Sequence, residues 1–470
     1  MGIFLAVILG IGNLFSKEKE SIAEVQPPWK EIRGELKFAN DANPILIENA
    51  KIFQGEGLVI EKGWILLKDR LVHSIGEGNF TGIIDDNVTV IDAQNKYITP
   101  GMVDIHSHMG VYANPGPAAH SDGNEMVSPI TAGIETIHAF WPQDIAIERA
   151  VAGGTTTIQV LPGSANLIGG HAATLKLHPR LTPQDMRFPE AKDGLKMACG
   201  ENPKRVYGDR GGPQTRMGNL YRNRQVWINA VEYSKNWKKW EQEWEEWSNN
   251  QKGEEPSPPS RDLTMETLMR LMDGEILAQV HCYRADDLLH MIDLSHEFNW
   301  HLRVFHHAIE SYKIRDILAK NNTGVGIWAD WWGFKYEAYD ATTAGPGLSH
   351  TEGVNVIIHS DSAIDIQRLN QRAAQIYYEA IEKGLDIKEE EAIDWFTYNA
   401  AWGLDIHEQT GSLKPGKMAD LVIWSHHPLS IRAISETTII DGEIMWDVNK
   451  GFSGWSDFET GQWTFDRSLK

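Results

Sequence analysis

Cysteine is scarce: Cys199 and Cys282 are the only two in 470 residues. That excludes a disulfide framework of the kind that staples small secreted domains. It also means that a metal site here must be built from His, Asp, Glu or Lys. Both cysteines sit in apolar runs, "LKMACG" and "QVHCYR", which predicts buried structural thiols. Positive charge is in short supply as well. The chain carries 44 Lys and Arg against 65 Asp and Glu, a net charge of −21, so nucleic-acid phosphates would be repelled and no nucleic-acid partner is expected. High solubility is the simpler reading of that charge. Beyond the N-terminus no apolar run is long enough to predict a membrane span. The opening "MGIFLAVILGIGNLF", followed by "SKEKE", is apolar over about fifteen residues, too short to span and similar to the core of an export signal. It lacks a basic leading region and an A-x-A-like cleavage site. Residues 1–25 are therefore read as an atypical signal or anchor segment, with export (periplasmic or secreted) as the expected destination.

The rest of the composition, 41% hydrophobic and 23% charged, is that of a well-packed globular protein. Length suggests two to three domains at ~150 residues each, although an α/β barrel takes ~250 as one unit. Residues 45–99 read as short strands broken by glycine-rich turns: "ILIENAKIFQG", "GWILLKDRLVHSIG" and "VTVIDAQNKYITP". The C-terminal segments "GSLKPGKMADLVIWS" and "ISETTIIDGEIMWD" repeat that style, so residues 26–99 and 406–470 are expected to assemble one small β-sandwich. Between them, apolar strands alternate with helical stretches, the pattern of βα units around a parallel sheet. The eight candidates are "GMVDIHSH", "TTTIQVLP", "AATLKL", "GLKMACG", "ILAQVHCY", "LRVFHHA", "GVGIWAD" and "NVIIHSD". They predict an α/β fold, a (β/α)8 TIM barrel over residues 100–405. Residues 225–260 interrupt it as a helical insertion, in which Val226, Ala230, Tyr233, Trp237, Trp240, Trp244 and Trp247 recur at spacings of four and three. Such a stripe is more often a packing face than a ligand site.

In a barrel, chemistry sits at the C-terminal ends of the strands. Those ends carry His106 and His108, Lys196, His281, the pair His306–His307, and Asp361. His106 and His108, two residues apart on a strand, project to one face and can share a metal ion. A lone barrel histidine is usually a satisfied core or surface residue; a set of this size at the strand ends of one barrel is harder to attribute to chance. His171, in "IGGH", is a further candidate at the pocket mouth.

"PGMVDIHSH", the strand histidines 281 and 307, "HSDS" and the tail "GSLKPGKMADLVIW" together resemble the amidohydrolase superfamily, in particular its imidazolonepropionase-like and metal-dependent prolidase-like branches, over about residues 45–450. The resemblance implies a metal-dependent hydrolase of amide, peptide or cyclic C–N bonds that acts on a small molecule. It implies His106 and His108 as first-strand ligands, His281 as the fifth-strand ligand and Asp361 as the eighth-strand acid and proton shuttle. Of His306 and His307, the latter is chosen, because only one of two neighbours on an alternating strand should face inward and "HAIESYK" matches the segment that follows the family's ligand. Neutral imidazoles and carboxylates suit Zn²⁺, and two ions ~3.5–4 Å apart can activate water and polarise a carbonyl. In prolidase-like and dihydroorotase-like members the fourth-strand lysine is carboxylated by carbon dioxide and bridges two metals. Lys196 holds that place, with Lys176 and Glu201 as alternatives.

Two rival readings stand beside this one. Deaminases of the same superfamily carry a glutamate three residues after the fifth-strand histidine, where this chain has Arg284. A non-catalytic interaction protein on the same fold would be expected to have lost ligands, and none is missing here. For substrate, Tyr283 and Arg284 could hold a carboxylate, although Arg284 could equally pair with Asp286 or Asp287. Trp331, Trp332 and Lys335 in "WADWWGFKYEAYD" could line the pocket. Homo-oligomerisation is compatible with the sequence.

Overall fold

The computed structural model describes residues 43–452; the signal or anchor segment expected over 1–25 lies outside the described residues. Among the described residues no helix is long and apolar enough to cross a membrane.

Alternating apolar positions open the chain as β1 (Ile45–Gly55), β2 (Leu58–Lys68) and β3 (Leu71–Glu77), an antiparallel meander, followed by the short β4 (Thr89–Asp92) and β5 (Tyr97–Pro100). The chain then turns at Gly101, where a Cβ would meet the Thr156 side chain at 2.3–2.8 Å. Only glycine fits this crossing between two sheets. The second sheet holds β6 (Met102–Ser107), β7 (Thr155–Val160), β8 (Ile168–Lys176), β9 (Gly194–Ala198), β10 (Leu277–Cys282), β11 (Leu302–His307), β12 (Gly324–Ile327) and β13 (Val356–Ile358), paired in chain order. The last described strands are β14 (Leu421–Trp424), β15 (Ser435–Ile440) and β16 (Glu443–Asp447), which return to the first sheet, where β14 runs antiparallel to β5. Described segments on either side of the barrel thus build one domain, as the strand pattern predicts. By hydrogen bonding it is one continuous eight-stranded sheet, curled so that Ile47, Ile52, Ile65, Val72, Leu421 and Ile439 share one apolar cluster.

The eight expected barrel strands all form, but one runs the other way. β8 is antiparallel to both β7 and β9. Only seven residues, 161–167, separate β7 from β8, whereas a parallel return needs a crossover of roughly a dozen or more. The barrel nearly closes between its first and last strands. Asp361 N–H donates to the His106 carbonyl at 3.0 Å, and Ser360 N–H donates to Asp104 Oδ1 at 3.1 Å.

Two further expectations change. The insertion is a helix over Arg216–Asn250, which begins earlier than the aromatic periodicity because Thr215 caps it by accepting from Gly218 N–H. Val226, Ala230, Trp237 and Trp240 are buried. Val226 and Ala230 join the barrel's apolar cluster, where neighbouring Trp227 stacks on Trp300 with ring centroids 5.2 Å apart. Trp240 donates to the Pro256 carbonyl of the following loop, so the stripe is a packing face. The cysteines are not free thiols: Cys199 and Cys282 form a disulfide. Adjacent parallel strands bring them together, with Ala198 opposite His281 and Cys199 N–H donating to the His281 carbonyl.

Candidate metal centre

Strand ends decide which side chains meet. His106 lies next to the end of β6, Lys196 lies on β9, His281 on β10, His306 and His307 end β11, and His359 and Asp361 follow β13. Among the described residues, two groups have donor atoms within 4.8 Å of one another: His106, His108 and Asp361, and His106, His307 and His359. In the first, His108 Nε2 is 3.2 Å and His106 Nε2 3.5 Å from Asp361 Oδ1. Lys196 Nζ lies 3.4 Å from His106 Nε2. His281 and His307 form the adjoining wall, ring centroids 4.5 Å apart. The His108 and Asp361 side chains are 20% and 22% exposed, against 1% for His106, so the barrel mouth opens at His108 and Asp361.

The donor set suits a divalent cation. Burial, reinforced by neighbouring cations, holds His106, His281, His306 and His307 well below the usual histidine range, and burial brings His359 down to about 3. Neutral imidazoles are the ligand form. Burial pushes Asp361 up, but the hydrogen bond and charge of His108, with His359 and Lys196, outweigh it and leave the carboxyl below its usual range. Burial brings Lys196 down to about 8, so part of its population is the nucleophilic free amine near neutral pH. The ring Nδ1 atoms of His281 and His307 are buried without a hydrogen-bond partner, a costly state for apolar surroundings and an ordinary one beside a cation.

The assumption that only one of His306 and His307 faces inward fails. His307 has φ +73°, a left-handed turn that breaks the strand's alternation, and both rings reach His106. They do different things. His306 engages both nitrogens, Nδ1 at 2.8 Å from His106 Nδ1 and Nε2 at 2.7 Å from Gln279 Oε1. His307 keeps its Nδ1 unpartnered.

Other candidates lie elsewhere. Reversal of β8 carries Lys176 to the opposite barrel end, where its ammonium pairs with Asp420 at 3.0 Å and with Asp441; it cannot bridge metals at the mouth. His171, on the same strand, does not line the mouth. It is buried between Asp193 (3.3 Å) and Thr267 (2.9 Å). Arg284 makes a two-pronged pair with Asp286, at 2.9 and 2.6 Å, so its guanidinium is engaged there. Glu201 sits 3.6 Å from Lys335 Nζ and is in neither ligand group. Tyr283 and Lys335 do meet, with the ammonium 3.8 Å over the phenol ring and 3.3 Å from Asn202 Oδ1. Asn202 Nδ2 in turn lies 3.4 Å from His281 Nε2, so this polar pair adjoins the histidine wall. Trp331 stacks on Trp328 at 4.9 Å, and Trp328 stacks on His307 at 4.2 Å. Trp332 is largely exposed.

Sequence reasoning missed His359 and Asp104. The spacing of His359 to Asp361 repeats that of His106 to His108, and Asp104 continues the same alternation one step back, so a period-two reading could have found both. Asp104 is fully buried and accepts from His106 N–H, Ser360 N–H and the Ser360 hydroxyl. Burial dominates those bonds and raises its carboxyl to about 7. It joins the two strands that flank the barrel seam.

Residues 340–445 match the amidohydrolase family model. The chain is 31% identical over 433 residues to the amidohydrolase tasK of Hapsidospora irregularis, an alignment covering 86% of this chain and 43% of that protein. It therefore spans less than half the length of that relative. It is 34% identical to an amidohydrolase of known structure from Thermotoga maritima MSB8, covering 86% of this chain and 100% of that one, with a TM-score of 0.75. A 5-methylthioadenosine/S-adenosylhomocysteine deaminase of Syntrophomonas wolfei is 28% identical over 120 residues, 24% of this chain and 27% of that protein.

Proposed function

The chain belongs to the amidohydrolase family, and on that premise we propose that the protein is a metal-dependent hydrolase cleaving an amide, peptide or cyclic C–N bond of a small molecule. The observation that carries this reading is the convergence of His106, His108 and Asp361 within 4.8 Å at the barrel mouth, with Lys196, His281 and His307 beside them. Nitrogen and carboxylate donors favour zinc over the harder cations. Two ions would be the preferred count: His106, His108 and Asp361 would hold one, His281 and His307 would hold the other, and Lys196 would serve as a further ligand. A divalent metal bound there supplies Lewis acidity, polarising the scissile carbonyl and making water more acidic.

The chain's own groups carry the rest. Asp361, held below its usual range, is ionised at neutral pH and takes a proton from the attacking water, then returns it to the leaving nitrogen. Lys196 in its free-amine form attacks carbon dioxide: the new N–C bond uses the nitrogen lone pair, one C=O pair moves onto oxygen, and a proton leaves the nitrogen to solvent. The resulting carbamate is an anionic ligand where an ammonium would repel a cation. Tyr283 and Lys335 adjoin His281 and suit the polar end of a substrate, and Trp331 with Trp328 supplies an aromatic wall. The Cys199–Cys282 disulfide supports the expected export, since such bonds persist in oxidising compartments.

Metal analysis tests the reading. About two zinc ions per chain, with turnover on a panel of N-acyl amino acids, dipeptides and lactams, supports it. One ion and ammonia release from an amino-substituted ring would point to deamination, against which Arg284 already argues. No bound metal would leave the non-catalytic reading.

A further inference from the structure

A histidine that binds a cation through Nε2 must carry its proton on Nδ1, and the group that Nδ1 faces sets that choice. For His108 the group is plain: Nδ1 is 2.8 Å from the Leu161 carbonyl, which can only accept. His106 has no such carbonyl. Its Nδ1 faces another ring nitrogen, His306 Nδ1, at 2.8 Å, and either could be the donor.

The ambiguity ends two residues further on. Gln279 donates from Nε2 to the Gly403 carbonyl at 3.1 Å. A carbonyl cannot donate, so the amide is oriented with its nitrogen toward Gly403 and its oxygen toward His306 Nε2, 2.7 Å away. That oxygen only accepts. A neutral His306 therefore has its hydrogen on Nε2 and a lone pair on Nδ1, and His106 must donate from Nδ1. The lone pair left on His106 Nε2 points to the side where Lys196 Nζ and Asp361 Oδ1 stand at 3.4 and 3.5 Å. His106, Gln279 and His306 are all 1% exposed or less, so bulk water does not compete along the chain.

We propose that Gln279 and His306 are positioning residues, a buried hydrogen-bond relay running from the Gly403 carbonyl that locks His106 in the Nδ1–H tautomer and so presents Nε2 to the metal. The inference rests on the metal-centre reading above. It gives His306 a role distinct from that of its neighbour His307: it sets a ligand and is not one.

Zinc affinity, measured by competition with a chromophoric chelator, tests the relay link by link. His306→Leu should bind about ten- to hundredfold more weakly, the usual cost of losing a ligand's hydrogen-bond partner. His306→Asn places an amide oxygen where Nδ1 was, and should recover affinity to within about threefold of the parent. Gln279→Met keeps size but removes the acceptor, and should weaken binding about tenfold. Combined with His306→Leu it should add nothing, because a broken chain cannot be broken twice. Full affinity in His306→Leu, no recovery in His306→Asn, or additive losses would overturn the relay. Long-range ¹⁵N spectra of the histidine-labelled parent protein need no folded variant. His306 protonated at Nε2 and His106 at Nδ1 supports the relay, and His306 protonated at Nδ1 overturns it. These spectra decide the tautomers with or without metal, so a parent chain that binds no zinc would sink the metal-centre reading separately.

Discussion

His108 Nε2 lies 3.2 Å from Asp361 Oδ1, so the first and last strands of the barrel present a nitrogen and an oxygen donor across the seam where the sheet closes. The pair is assembled by barrel closure, and with His106 it forms the more open of the two ligand groups.

Removing the nitrogen side should empty this position. His106→Ala and His108→Ala are each expected to lose bound metal while keeping the barrel's circular-dichroism spectrum. Elemental analysis of the double variant is the decisive measurement, and full occupancy there would overturn the assignment.

Asp361→Asn keeps shape and removes the base. Turnover on any substrate found in the panel should fall ~10²–10⁴-fold, the usual contribution of a positioned acid–base group. A rate equal to the parent's would remove Asp361 from the mechanism.

The two barrel lysines should separate cleanly. Lys196→Ala is expected to lose a metal ion and activity, with partial recovery on adding formate or acetate in place of the missing carboxylate. Lys176→Ala should leave metal content unchanged, because its ammonium is bound to Asp420 and Asp441 at the other end of the barrel. Loss of metal in Lys176→Ala and not in Lys196→Ala would reverse the roles.

That second cluster also predicts a pH dependence. Burial pushes Asp441 up, but Lys176 and Arg70 (2.7 Å) outweigh it and hold the carboxyl below its usual range. A depressed folded-state pKa contributes stability that is complete above the unfolded value of ~3.9 and is lost as pH falls through the folded value. Asp441→Asn should therefore cost on the order of 3 kcal/mol near pH 7, as removing one partner of a buried pair does. The gap to the parent in denaturant midpoints should close at acid pH. A gap that is constant down to the acid unfolding limit would show that charge is not its source.

The disulfide gives the simplest measurement. Thiol titration of the denatured, unreduced protein should find no free cysteine, and two after reduction. Two reactive thiols before reduction would remove this support for export.

Local sequence determined more of this protein than its connections suggest. Strand identity was legible from apolar runs bounded by Gly and Pro, and all eight barrel strands form where those runs lie. The chemistry at strand ends was legible too, because His106 and His108 share a face whatever sheet they join. Direction and neighbourhood were decided by tertiary structure. Nothing in "AATLKL" itself says that it runs antiparallel; the seven-residue connection before it does, and that reversal separates Lys176 from Lys196. The cysteines read as buried thiols because their partnership exists only once β9 and β10 lie side by side. His306 and His307 looked like alternatives because period-two alternation is a local rule, and the left-handed turn at His307 breaks it. Side-chain type and spacing are properties of the chain. Which nitrogen faces which oxygen depends on sheet order and closure, which pair residues hundreds of positions apart.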